Sequence, residues 1–468
     1  MEILARHGQT RNRMKGLIMK GGAVLPKDFN SIISEAAELI RSHSFARVIS
    51  HYDADGISAA GIMIASLKRA GIEYQATISR SLDRATVESI ADEGSDFVIF
   101  LDMGSGQIEW LDEIRGDVLV LDHHRTVRKS DKVLQVNPHF HGLDGMKDVS
   151  ASGLSFLVCT ALDDKNWASA PLAITGLFGD MQNLHGYSKI NAGIIEGAIE
   201  RKLIAKETDL RLSGNSLTEM ISSSVSPYFR QLSGRDDAAA EFLRSADLDE
   251  SAAYGDLKEG GRRRLMSMLT LRLLGQGCSK ETVLELSGDI VTASANSMRI
   301  DDLTELLNAC GRTDHPGIGL ALCLGDLDAL REATRFRKDY DRMLLSALGK
   351  VEDDGAIVMK HIQVLKPSNP SLAGAICGIS MQYLLEQDKP TLAITRSEGS
   401  TKVSSRATKS LVNAGVNLAE SMKSSAEQVG GVGGGHTIAA GATVPIAKED
   451  QFLELVDSMT GRQLGTGS

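Results

Sequence analysis

Three apolar runs in the first third of the chain each stop at an acidic or imidazole-rich tip, and this restricts the fold more than any other feature. Residues 97–101 run into Asp102, residues 118–121 into Asp122-His123-His124, and residues 46–50 into His51-Tyr52-Asp53-Ala54-Asp55-Gly56. Such short apolar runs read as strands. Residues 57–68 then carry helical spacing, and residues 74–79 form a weaker strand signal between two helical patterns. Strands alternating with helices imply an α/β fold with a doubly wound parallel sheet, whose ligands gather beyond the carboxyl ends of the strands. His51, Asp53, Asp55, Asp102, Asp122 and His123 are expected to converge there.

A single Asp after a strand carries no weight, because turns favour Asp. Three such endings with paired histidines do. Asp53 and Asp55 are two residues apart, so each can face a different cation, and Asp102 from a neighbouring strand can bridge the two. Two cations about 3.5–4 Å apart can activate a water and stabilise the leaving oxygen of a phosphodiester. Carboxylates and imidazoles without thiolates suit two divalent ions of the Mn²⁺ type, with Mg²⁺ as second candidate, better than a structural zinc.

These residues resemble the motifs of the DHH phosphoesterases: His51-x-Asp53-Ala54-Asp55-Gly56, Asp102, Asp122-His123-His124, and Asp180 at the end of residues 175–180. Ser150-Ala151-Ser152-Gly153, opening an apolar helix, is similar to the serine-glycine element that precedes the family's last aspartate. The resemblance implies one metal held by His51, Asp53 and Asp102 and a second by Asp55, Asp102, His123 and Asp180. His124 would contact the scissile phosphate as the catalytic imidazole, Asp122 would orient it, and Ser152 would lie on the substrate side.

A second resemblance lies near the other end. Residues 392–395 and 402–406 read as a strand pair with a basic, hydroxyl-rich edge, followed by the glycine run 430–435 and His436. Glycines there leave backbone N–H groups unshielded, able to cradle a phosphate, although such a run also suits a linker. Together these resemble the DHH-associated substrate domain, which implies phosphate contacts from Ser405, Arg406, Gly433, Gly434, Gly435 and His436. Asn308-Ala309-Cys310-Gly311-Arg312 is similar to a connecting element of the RecJ-type single-strand exonucleases, with Arg312 as a further substrate contact. Alone it could be a glycine helix stop.

The RecJ-type resemblance implies a Mn/Mg-dependent exonuclease acting on single-stranded DNA or RNA in replication or repair, and its archaeal branch implies the GINS replication complex as a partner. Two alternatives remain: an oligoribonucleotide or cyclic-dinucleotide phosphodiesterase, and a largely non-catalytic replication scaffold. Arg6-His7 in residues 4–12 resembles a phosphohistidine signature but lacks the α/β domain that such a site requires.

Composition agrees. The 468 residues suffice for two or three domains, and no apolar stretch approaches membrane-span length, so a cytoplasmic protein without membrane contact is expected. Five cysteines without a CxxC pair read as buried thiols. The formal charge of −10 is unusual for a nucleic-acid enzyme, so local basic groups must supply phosphate contacts: residues 262–264, residues 335–338, Lys402 and Arg406. The expected organisation is an extension over residues 1–30, the catalytic domain over 31–200, a helical insertion and connecting helix over 201–350, and the substrate domain over 351–468.

Overall fold

The structure, a computed structural model, describes residues 25–184, 186–397 and 399–465. Most of the expected extension and the Arg6-His7 motif lie outside the described residues. Helix α1 (Lys27–Arg41) begins within the last residues of that extension, because Phe29, Ile33, Ala36, Ala37 and Ile40 form one buried stripe at helical spacing. The chain divides into two compact units, Met1–Glu207 with Ile290–Lys338 and Thr208–Asp289 with Asp339–Ser468. Residues 201–350 are therefore shared between both.

The first unit continues with β1 (Phe45–His51), α2 (Ala54–Ala70), β2 (Glu73–Ser79), α3 (Arg84–Asp92), β3 (Phe97–Leu101), β4 (Asp117–Leu121) and β5 (Val133–Val136). The five strands form one parallel sheet in the order β2-β1-β3-β4-β5. This is the expected α/β arrangement, and the order in which the chain adds strands reverses between β1 and β3, where ligands of such sheets gather. Register makes the consequence specific. Ser50 pairs with Leu101 and Leu101 with Leu121, so the three strands end flush. His51, Asp102 and Asp122, each the next residue, are thereby set side by side.

Helix α2 is apolar on nearly every side and lies buried against α4 (Ala151–Leu162) and α5 (Ala170–Gly179), which α6 (Lys189–Glu200) follows. Beyond it, β6 (Ile204–Leu210) pairs with β7 (Ser287–Ala293), two strands within a stretch whose pattern suggested helices. Residues 206–208 of β6 are polar and exposed, so no alternation announces the strand. The expected helices are present as α7 (Glu259–Gly275), α8 (Ile300–Arg312) and α9 (Leu327–Asp354).

In the second unit β8 (Ile357–Val358), β9 (Gln363–Leu365), α10 (Ala373–Tyr383), β10 (Thr391–Ser397), β11 (Ser400–Arg406), α11 (Leu418–Gln428), β12 (Val432–Gly435), β13 (Ala439–Pro445) and α12 (Glu449–Gln463) follow. The six strands are ordered β12-β13-β11-β10-β9-β8. One face of this mixed sheet carries Leu392, Ile394 and Val403, in one apolar cluster with Leu418, Met422 and Phe452 of α11 and α12. On the other face Leu365 and Ala393 cluster with Ile376 and Cys377 of α10. Among the described residues, no helix is long and apolar enough to cross a membrane. All five cysteines are free thiols, four of them buried.

Because Phe29 is fully buried on the stripe that docks α1, Phe29→Ala should destabilise the protein by about 3–5 kcal/mol. Denaturant melts of the two proteins measure this, and a loss near zero would show that α1 is not docked.

Candidate metal centre

Beyond the flush ends of β1, β3 and β4, four carboxylates and two imidazoles meet. His51 Nδ1 lies 3.0 Å from Asp53 Oδ2 and 3.2 Å from Asp102 Oδ2. His123 Nε2 lies 3.1 Å from Asp180 Oδ2, 3.3 Å from Asp102 Oδ1 and 4.0 Å from Asp55 Oδ2. Ligand atoms of His51, Asp53 and Asp102 fall within 4.8 Å of one another, and so do those of Asp55, His123 and Asp180 and those of Asp102, His123 and His124. Asp102 thus touches more than one group. Its backbone is left-handed (φ 59°), an uncommon conformation for a residue with a Cβ, and its N–H donates to Leu121 O (3.0 Å).

The supports come from chemistry that the strands alone do not supply. Asp55 is fully buried and accepts the backbone N–H groups of Ala151 (2.7 Å) and Ser152 (2.9 Å), the first residues of α4. The N-terminus of a helix offers unpaired N–H groups and a positive dipole end, so it stabilises this carboxylate. Ser152 is itself fully buried and its Oγ donates to Ala173 O (3.1 Å). It therefore holds Asp55, and its expected place on the substrate side is corrected. Asp122 accepts the N–H of Ser105 (2.9 Å) and stands 2.8 Å from His124 Nδ1, so it orients the second imidazole. His123 Nδ1 bonds to Gly145 O (2.7 Å), which leaves Nε2 for the carboxylates.

These residues fit a divalent metal. Asp102 Oδ1 and Asp180 Oδ2 are buried without a hydrogen-bond partner. Buried, unsatisfied carboxylate oxygens are costly, and a hard cation is the partner their chemistry suits. Burial lowers the His51 imidazole, but hydrogen bonds to Asp102 and Asp53 outweigh it and hold its pKa at about 11. Burial and the neighbouring Asp102 charge raise Asp55 to about 6. Burial, then the charge of Asp55, also raises Asp180 far above the usual carboxylate range. Burial opposes ionisation of Asp102 as well, yet the His123 and His51 imidazoles hold it low.

The second unit carries the remaining candidates. Strand alternation puts Lys402, Ser404 and Arg406 on one face of β11 and Ser405 on the other, where Ser405 is fully buried and donates to Ala440 O (2.9 Å). Ser404, not Ser405, accompanies the basic residues. A groove of about 570 Å³ is lined by Thr395, Lys402, Ser404, Gly434 and Thr443 among others. Arg406 stands beside it, against α10 at Gly374. The glycine run is not a loop: it forms edge strand β12, paired with β13, and His436 N–H donates to Ala439 O (2.8 Å) in the turn. A Cβ on Gly433 would lie 2.3 Å from Met422 O, so this glycine serves close packing of β12 on α11. Gly435 ends the strand at φ 136°. Arg312 closes α8 in the first unit. Of the other basic candidates, Arg262, Arg263, Arg264 and Arg337 are paired with Asp209, Glu259, Asp247 and Asp302.

Comparison with known proteins agrees with this geometry. Residues 46–177 match the DHH family, N-terminal domain, and residues 362–461 match the DHHA1 domain. The chain thus carries a DHH domain followed by a DHHA1 domain. An uncharacterized protein of Methanocaldococcus jannaschii is 29% identical over 448 residues, 94% of this chain and 98% of that one. The single-stranded-DNA-specific exonuclease RecJ of Thermus thermophilus is 24% identical over 275 residues, which cover 54% of this chain but 41% of RecJ. Its Mn²⁺ complex superimposes with a TM-score of 0.60 at 19% identity, over 95% of this chain and 56% of that chain. CDC45 of Entamoeba histolytica gives 0.64 at 10% identity, over 92% and 99%. Both structural likenesses establish the RecJ-like fold.

Two expectations follow for this DHH centre. A Cβ on Gly176 would lie 2.0 Å from Ser152 Oγ and 2.1 Å from Asp55 Oδ1. Gly176→Ala should therefore displace Asp55 and weaken Mn²⁺ binding by roughly tenfold, as titration calorimetry would read; unchanged affinity would remove Asp55 from the ligand set. Metal binding should also release protons, because His51 is protonated below about 11 and Asp55 below about 6 in the metal-free protein. Mn²⁺ affinity should rise with pH between 5 and 8, about tenfold per unit for each proton displaced. Calorimetry in buffers of different ionisation enthalpy counts these protons.

Proposed function

We propose that this DHH protein is a metal-dependent exonuclease that hydrolyses phosphodiester bonds of single-stranded nucleic acid. The observation that carries the reading is Asp102, whose two oxygens face His51 and His123 separately, Oδ1 being buried without a hydrogen bond. Such a carboxylate suits a bridge between two cations. His51, Asp53 and Asp102 would hold one, and Asp55, Asp102, His123 and Asp180 the other. Two divalent ions, Mn²⁺ or Mg²⁺, supply a water activated as nucleophile and charge stabilisation at the leaving oxygen.

The chain's own residues do the rest. Asp122 fixes the tautomer and direction of His124, whose half-buried ring remains available to a phosphate oxygen. Lys402, Ser404 and Arg406 offer charged and hydroxyl donors to a phosphodiester backbone, and Thr395 lines the same groove. Among the described residues neither Lys402 nor Arg406 has a carboxylate partner, which favours them over the paired Arg262–Arg264 run. A replication scaffold is favoured by the likeness of fold to CDC45 alone. The cluster of four carboxylates, with Asp55 and Asp102 buried, weighs against it, because a scaffold gains nothing from so costly a cluster.

End-labelled single-stranded DNA and RNA, digested with Mn²⁺ by wild type and by Asp102→Ala, test the reading. The wild type should shorten strands from one end, and the variant should lose activity by a factor of about 10³ or more. Cleavage confined to di- to tetranucleotides would favour the small-substrate phosphodiesterase instead. Full activity of Asp102→Ala would refute the proposed centre.

A further inference from the structure

We infer that Asn308 and Gly311 of α8 are positioning residues of the metal centre, acting through the loop that carries His51, Asp53 and Asp55. This inference rests on the two-metal reading above. Ala54, between the two aspartates, is the first residue of α2, and its N–H is donated to Asn308 Oδ1 (3.1 Å) in a fully buried contact. The first N–H groups of a helix have no partner within it. Asp53 Oδ1 already accepts the N–H of Gly56 (3.0 Å), while its Oδ2 faces His51. Without Asn308 the buried N–H of Ala54 would lack a partner and would compete for the Asp53 carboxylate, the same group a metal requires.

Gly311 holds the adjoining peptide. A Cβ there would lie 1.9 Å from Tyr52 O, so the backbone of α8 packs directly on the residue between His51 and Asp53. Arg80 grips the loop further. Its Nη2 donates to Gly311 O (3.1 Å) and Arg312 O (3.2 Å), its Nε lies 2.8 Å from Asp314 Oδ1, and its guanidinium is 4.6 Å from the centre of the Tyr52 ring. The α8 helix is itself fixed. Leu306 and Cys310 cluster with Ala333 and Phe336 of α9, and Arg337 pairs with Asp302 (3.0 Å). The ligand loop therefore depends on residues about 250 positions away in sequence, outside the DHH match at 46–177.

The test uses the full chain with Mn²⁺ alone as probe, read by titration calorimetry, beside kinetics on single-stranded DNA. Asn308→Ala should raise the Mn²⁺ dissociation constant roughly tenfold and lower kcat with KM unchanged. The metal-free Tm should move by only a few degrees. Asn308→Asp, which keeps the acceptor, should recover most of the affinity. If Asn308→Ala does not fold, Gly311→Ala takes its place with the same expectation. Wild-type Mn²⁺ affinity in the variant tested, or equal losses in Asn308→Ala and Asn308→Asp that merely follow a lower Tm, would overturn the inference. Asp102→Ala run alongside separates the two levels. If it too binds Mn²⁺ as the wild type does, the two-metal reading fails and this inference with it; if only the α8 variants bind normally, the inference alone fails.

Discussion

Mutual repulsion among Asp53, Asp55, Asp102 and Asp180 is the constraint to which much of the first unit answers. Two like charges 4 Å apart repel by about 4 kcal/mol at an effective dielectric constant near 20, and burial adds the cost of lost hydration. Each carboxylate is met differently. The N-terminus of α4 supplies two N–H groups to Asp55, the imidazoles of His51 and His123 flank Asp102, and Asp53 spends one oxygen on the start of α2. Asp102 Oδ1 and Asp180 Oδ2 share the single Nε2 of His123 and accept no hydrogen bond, so they are the part that protein groups leave unsatisfied. That remainder argues for cations more strongly than the presence of acids does, because acids alone could all have been paired.

The parallel sheet and the converging acids were legible because both are local. Four- and five-residue apolar runs mark strands, and flush register turns three sequence neighbours into spatial ones. Polar β6 carries no such pattern, and in β5 Gln135 interrupts a run of only four residues. Facing errors arose where a motif was read as a block. Ser405 and Arg406 are adjacent in sequence and therefore on opposite faces of β11, and a period of two would have selected Lys402, Ser404 and Arg406. Ser152 was placed correctly at a helix start, but the direction of its N–H toward Asp55 depends on how α4 meets α2. The glycine run combines two uses that glycine permits: Gly433 packs closely on α11, while Gly433 and Gly434 also line the groove beside Lys402 and Ser404.

For α8, resemblance singles out Asn308–Arg312 as a connecting element but assigns no task to Asn308 or Gly311. Asn308 and Gly311 looked like part of a helix end, and a helix stop explains a glycine without any reference to a partner. Their role emerges from a contact whose two sides are separated by 254 residues. Backbone contacts of that kind leave no periodicity, since they require only an acceptor of the right length and the absence of a side chain.

Charge bears on what such a centre can bind. The chain is acidic overall, at −10, and among the described residues the basic runs at 262–264 and at Arg337 are paired with carboxylates, so they are less available to neutralise phosphates. Under the proposed reading, affinity must come from a few contacts: cations at the strand ends, and donors such as Lys402 and Ser404 in the groove and Arg406 beside it. Each phosphate neutralised by a side chain contributes about one unit to the salt slope of binding. A protein with so few of them should hold nucleic acid with a shallow salt dependence and a strong dependence on metal loading. Aromatic residues make up only 4% of the chain, so base stacking adds little along the strand. Recognition then rests on the phosphodiester next to the cations, and a substrate is selected mainly by whether that phosphate can reach them.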